Sequence, residues 1–152
     1  MRVVLDRTDE MVAWASERIQ ELHGQGFPDN TTGIGIEDEN GRILGVVCFH
    51  SYEPWNRTIE VSAVAEDARW LMARKAWATM FDYAYQVCDV DKIWSRTPAK
   101  NERALRFLRA VGFECEAVLP RQFGDDDAVI SAKFKWNHYA ASRPQVAPDK
   151  AA

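Results

Sequence analysis

The residues able to do chemistry in this 152-residue chain fall into three groups. Glu60 and His50 lie on stretches that read as strands, and each can accept a proton, the imidazole near neutral pH. The competing reading of both is a solvent-facing strand residue. Arg69, Arg74 and Lys75 open the longest helical pattern in the chain. Positive charge there opposes the helix dipole unless an anion is present. These residues therefore read either as an anion site or as a solvated first turn balanced by Glu66 or Asp67. The third group frames a shorter helix, with Asn101 where a cap is wanted and Gly112 where a left-handed stop is wanted.

Other chemistries are poorly supported. Asp125, Asp126 and Asp127 follow Gly124 and read as a solvated hairpin turn, so no metal is expected. Cys48, Cys88 and Cys115 are odd in number and scattered, which argues against a disulfide framework and fits a reducing cytosol. The chain has no apolar run near the ~18 residues of a membrane span. Its formal net charge of −4 argues against a general nucleic-acid binder. The charge is uneven: residues 1–68 carry 5 basic and 13 acidic groups, and residues 69–121 carry 10 and 6. An acidic first half and a basic middle suit a protein that holds a cation and an anion in different places.

The elements that must position these residues follow from periodicity. A strand at 2–5 leads to a helix over 8–23, broken by Gly24, Gly26 and Pro28. Strands at 32–37 and 43–50 flank an Asn40-Gly41 turn. A strand at 58–65 places Ile59, Val61, Ala63 and Ala65 on one face and Glu60, Ser62 and Val64 on the other. A helix over 69–87 carries Ala73, Ala76, Trp77, Met80, Phe81, Ala84 and Val87 as its apolar stripe. Then come a strand at 92–97 ended by Pro98, a helix over 101–111, and strands at 113–119 and 128–136. The domain spans 1–138, and a tail over 139–152 reads as disordered. This order predicts an α/β fold with one central mixed, mostly antiparallel sheet flanked by helices.

The run Asn101, Ala104, Phe107, Gly112-Phe113, with its flanking strands, resembles the late motif of the GNAT acetyltransferases, and the resemblance covers roughly residues 1–136. It implies that the fourth and fifth strands splay apart. It also implies acetyl-CoA as cosubstrate, its pantetheine arm lying between Ser62, Ala63, Val64, Ala65 and the strand 94–97. The diphosphate would rest on Arg69, Trp70, Leu71, Met72, Ala73, Arg74 and Lys75, with Asn101 and Phe107 completing the cofactor site. Met72 and Arg74 stand where the family usually has small residues. Either Arg69, Arg74 and Lys75 contact phosphate directly, or the chain is a GNAT-shaped binding or regulatory protein without activity. Phage-encoded branches of the family resemble this Arg-Trp-Leu form.

The resemblance further implies transfer of the acetyl group to an amine of a small molecule or a protein by direct attack. That reaction needs a base, with Glu60 first and His50 second. Where the family often has a tyrosine as thiol acid, this chain has Leu108; Tyr52, Tyr139, Ser62 and Ser131 are the other hydroxyls available. Glu37, Asp38, Glu39 and Glu53 are expected to attract a cationic acceptor. Trp14, Trp55 and Phe27 read as pocket lining or as ordinary packing. Arg103, Arg106 and Arg109 read as a solvated face or as a contact for the cofactor's adenosine phosphate. A homodimer is compatible with all of this.

Overall fold

The computed structural model describes residues 1–67, 69–70 and 73–140. Ala68, Leu71, Met72 and the segment 141–152 lie outside them, so the phosphate-loop expectation is described only in part and the tail expectation beyond Ala140 not at all. Seven strands form one sheet: β1 (Arg2–Val4), β2 (Thr32–Glu37), β3 (Ile43–Glu53), β4 (Thr58–Ala65), β5 (Lys92–Pro98), β6 (Glu114–Phe123) and β7 (Asp126–Phe134). Their spatial order is β1-β2-β3-β4-β5-β7-β6, with β4–β5 parallel and the other pairs antiparallel. The helices are α1 (Thr8–Ser16), α2 (Arg74–Asp82), α3 (Glu102–Ala110) and the single turn α4 (Lys135–His138). The expected mixed sheet with flanking helices is the architecture observed.

The alternation read from β4 holds. Ile59, Val61, Ala63 and Ala65 join the larger core, which includes Trp77, Met80 and Phe81 of α2. Val64 faces the smaller core of Met11 and Ala15 from α1 with Val46 and Cys48. The helix α1 approaches β2 closely enough that a Cβ on Gly33 would stand 2.9 Å from the Met11 Cβ. Thr8 anchors the helix start by bonding both the N–H and the carbonyl of Gly33, each at 3.1 Å.

Three helical expectations need correction. The α-helix expected over 8–23 ends at Ser16, and Gln20–Leu22 forms a separate 3₁₀ turn. The helix expected from Arg69 begins at Arg74. It does not end regularly either, because Tyr83–Val87 forms a π turn. That wider turn rotates the stripe, so Tyr85 is fully buried while Val87, expected inside, is 70% exposed. Tyr139, placed in the tail by sequence, is bonded to the body: its hydroxyl donates to Asp82 at 2.7 Å and accepts from Gln86 at 2.8 Å.

Two polar or close-packed points should govern stability. Glu37 is buried on β2 between the guanidiniums of Arg2 and Arg7, and these hydrogen bonds hold its carboxyl below the ordinary range. Its contribution should be full above the ordinary glutamate value, near about pH 4.3, and fade as pH falls through the lowered native value. Denaturant titrations of wild type and Glu37→Gln should therefore differ at pH 7 and converge toward pH 3. Gly45 lies under Trp70, where an added Cβ would stand 2.0 Å from the indole Cε3. Gly45→Ala should cost about 1–3 kcal/mol by overpacking, read as a lower denaturation midpoint.

Candidate active site

The strands β4 and β5 pair only at Thr58↔Lys92, Ile59↔Ile93 and Glu60↔Trp94. Past that point β4 stays on β3 to Ala65, while β5 stays on β7 to Pro98. Each strand is held by its outer neighbour, and their inner edges part. A cavity of about 220 Å³ occupies the fork, lined by Ala63, Val64 and Ala65 on one side and Ser95 and Thr97 on the other, with Phe107 and Leu108 from α3. Asn101 sits at its border because it caps α3, its Oδ1 accepting from the Ala104 N–H at 3.2 Å. Of the residues that the sequence assigned to the cofactor, the cavity gathers Ala63, Val64, Ala65, Trp70, Asn101 and Phe107.

The approach to α2 is less like the expected phosphate loop. The Arg69 guanidinium lies against the Asp67 carboxylate, with contacts at 2.9, 3.1 and 3.2 Å, and its backbone N–H also donates to Asp67 at 2.8 Å. The counter-charge anticipated from Asp67 is thus the partner of Arg69. Trp70 turns inward, 2% exposed and edge-on to Trp77 with centroids 4.1 Å apart, so its indole belongs to the core and to the cavity wall. Ala73 is the N-cap and offers no side-chain cap, and no acidic side chain occupies the first turn of α2. Arg74 and Lys75 are exposed there. Helix N–H groups beside two cations make a site suited to an anion.

A second cavity, of about 280 Å³, lies against the first and shares Ala63, Ser95, Thr97, Asn101 and Ala104 with it. Its unshared polar lining is Glu21, His50, Ser51, Glu60, Ser62 and Arg96, with the rings of Phe27 and Phe123 beside them. Both base candidates therefore face one space, and Glu60 is the last paired residue of β4 before the fork. The side chain of Ser62, which sequence assigned to the cofactor, faces this second cavity. His50 Nε2 lies 2.9 Å from Ser62 Oγ, and His50 Nδ1 lies 3.2 Å from Ser51 Oγ and 3.8 Å from Glu60 Oε1. The ring of Phe27 tilts over the imidazole at 5.2 Å.

Burial sets the protonation states. It lowers the His50 pKa to about 4, helped by the positive charge of Arg96, so the imidazole is neutral at pH 7. It raises the Glu60 pKa, against the pull of Arg96 and of the Ser51 hydroxyl. Among the described residues Arg96 makes no ion pair; it lies over the Phe123 ring at 5.8 Å. Ser95 and Thr97 are buried, their hydroxyl oxygens 3.3 Å apart in the shared wall.

Sequence reasoning placed the strand 94–97 along the gap without giving Ser95, Arg96 or Thr97 a role of its own, and it did not name Ser51 or Phe123. Their only signal was position on or beside strands bordering the fork. The other candidates serve elsewhere. Tyr52 donates to the Cys88 carbonyl at 2.7 Å, Ser131 is buried on β7 opposite Ser95, and Tyr139 lies at α4. Trp55 is exposed at the β3–β4 hairpin, and Trp14 carries the Arg18 guanidinium 4.0 Å above its ring. Asp38 accepts from the N–H groups of Asn40 and Arg42 in the β2–β3 turn; Glu39 and Glu53 are exposed. Asp126 and Asp127 accept backbone N–H groups of Lys100 and Arg121 beside the β6–β7 turn. Arg103 borders the first cavity, while Arg106 and Arg109 are exposed.

The lowered His50 pKa has a stability consequence. Unfolded chains bind the proton at an ordinary histidine value of about 6.5, whereas the native imidazole resists it until about pH 4. Stability tied to His50 is therefore whole above pH 6.5 and falls as pH drops through that interval. His50→Gln should lose less stability than wild type between pH 7 and pH 5, measured by urea denaturation.

A family model for the acetyltransferase (GNAT) domain matches residues 4–114. Among curated proteins none matches the chain. Solved structures of similar fold include a point mutant of the spermidine N-acetyltransferase of Vibrio cholerae, 14% identical, TM-score 0.70, covering 91% of this chain and 98% of that one. The Vibrio cholerae enzyme in complex with CoA and spermine is 19% identical, TM-score 0.64, covering 80% and 76%. A dodecameric form of it is 19% identical, TM-score 0.66, covering 84% and 78%. At these identities the likeness is one of fold, and the family rests on the domain match together with the parted strands. The chain belongs to the GNAT acetyltransferase family, whose acetyl donor is acetyl-CoA.

Proposed function

We propose that the chain transfers the acetyl group of acetyl-CoA to a primary amine held in the second cavity. The observation carrying this reading is that the two cavities meet at the fork, with Glu60 at its vertex. The residues of the first cavity fit the donor. Unpaired edges of β4 and β5 offer N–H and C=O groups to an extended amide-bearing arm. The hydroxyls of Ser95 and Thr97 stand beside apolar walls, and Arg74, Lys75 and Arg103 carry charge for the anionic end. Acetyl-CoA supplies an activated thioester, and the protein must supply orientation and proton handling.

The buried Glu60 carboxylate is the base of this reading. It draws the ammonium form of the acceptor and takes its proton, its raised pKa bringing its basicity nearer that of an amine. The Ser95–Thr97 hydroxyl pair offers donors to the departing sulfur in place of the tyrosine that Leu108 replaces. The acceptor is read as a small amine or a protein amine; the related Vibrio cholerae structure holds spermine. Here the lining carries Glu21 and Glu60 against the single guanidinium of Arg96, while Phe27 and Phe123 favour an apolar body next to the amine.

Thermal denaturation with and without CoA tests the donor site. Binding at 100 times the dissociation constant should add about 2.7 kcal/mol. The double change Arg74→Ala and Lys75→Ala should shrink the stabilisation, whereas Arg69→Ala should shrink it less because Asp67 already holds that guanidinium. Glu60→Gln should lower turnover by ~100-fold or more while leaving the CoA stabilisation intact. In wild type the rate should fall on the acid side, as the Glu60 carboxylate protonates. Stabilisation by CoA with no acetylation of any amine would favour a binding protein.

A further inference from the structure

We propose that Ser62 and His50 form a nucleophile and base, with Ser51 orienting the imidazole, so that when no amine occupies the second cavity Ser62 takes the acetyl group and passes it to water. Ser62 and His50 face one another because of the β3–β4 register. His50 pairs directly with Glu60, and Cys48 pairs with Ser62, which makes Ser62 the diagonal neighbour of His50. The register breaks immediately after His50, where Ser51 takes a left-handed φ of 53°. A bulge of this kind re-aims side chains beside a site, and it brings the Ser51 hydroxyl next to His50 Nδ1.

The hydrogen-bond directions suit a nucleophile. With the proton on Nδ1 the imidazole donates to Ser51 Oγ at 3.2 Å, and the Ser51 hydroxyl in turn serves the Glu60 carboxylate, which stands 3.8 Å from the ring nitrogen. The Nε2 lone pair then accepts from the Ser62 hydroxyl at 2.9 Å. A hydroxyl bonded to a base that a third group orients is the arrangement expected of an activated serine. Ser62 lines the cavity and adjoins Ala63, the β4 residue common to both cavities, so its oxygen stands next to where the fork delivers a thioester. Neither the family match nor the amine transfer requires this serine.

The step balances. Ser62 Oγ bonds to the acyl carbon as the carbon–sulfur bond breaks. The hydroxyl proton passes to His50 Nε2 and from there to the departing sulfur, leaving a free thiol and an acetyl ester on Ser62. Water then adds to the ester, giving one proton to His50; that proton passes to Ser62 Oγ as the ester bond breaks, and acetic acid leaves with the other. No oxidant, reductant or metal is involved.

The delivery of acetyl by CoA rests on the proposed donor site, but the activation of Ser62 does not, so the two are tested separately. A fluorophosphonate, which labels activated serines, should modify the folded protein at Ser62 and not the urea-unfolded protein. His50→Gln should slow that labelling by ~100-fold or more, and Ser62→Ala should abolish it. Acetyl-CoA alone should then release free thiol and acetate, with an acetyl group on the peptide containing Ser62 when the reaction is quenched in acid during turnover, and with both variants still stabilised by CoA. Absence of fluorophosphonate labelling at Ser62, or labelling unchanged in His50→Gln, overturns the proposal whatever CoA does. Labelling without CoA stabilisation would instead retain the activated serine and remove the donor site.

Discussion

The separation of β4 from β5 past Glu60 and Trp94 is the constraint from which the site follows. A parallel pair that stops after three residues leaves N–H and C=O groups without sheet partners, and such groups seek partners elsewhere. The parting persists because each strand remains tied to its outer neighbour, β4 to β3 and β5 to β7. Side chains of α3 and Trp70 line the space between the parted edges. Their packing is continuous: Phe107 contacts both Trp70 and Trp77, and Trp70 lies over Gly45. The wall of the fork is therefore continuous with the core, and a substitution that disturbs Trp70 reaches the site and the core together.

The fork also explains why two different environments meet. One cavity is bounded by strand edges, hydroxyls and α3, and suits an extended chain. The other lies on the α1 side of β4 and gathers two carboxylates, Glu21 and Glu60, with an imidazole, a guanidinium and two phenylalanine rings. Burial moves the two titrating groups in opposite senses: His50 stays neutral and Glu60 holds its proton more tightly than usual. Arg96 restrains the second effect and reinforces the first.

Much of this was legible in the sequence where a simple period or a local cap governs. The two faces of β4 follow from alternation, and Asn101 capping α3 follows from local hydrogen bonding. The start of α2 was not legible, because Trp70 is drawn onto Gly45 of another strand and Arg69 is held by Asp67. Nor was the π turn, since apolar residues at helical spacing carry no mark of one extra residue in a turn. The grouping of His50, Ser51 and Ser62 depends on strand register and on a bulge after His50. Arg96 was overlooked because a strand period says which residues share a face, not which face borders a cavity.

The central claim is that the fork between β4 and β5 is where the pantetheine arm of CoA lies. Amide hydrogen exchange with and without CoA tests it most directly, because an arm bonded to the strand edges must slow exchange there. The account predicts slower exchange confined mainly to residues 61–65 and 95–97, with weaker effects at the start of α2. Stabilisation by CoA with unchanged exchange in both strand segments, and slowing at some other surface, would contradict it.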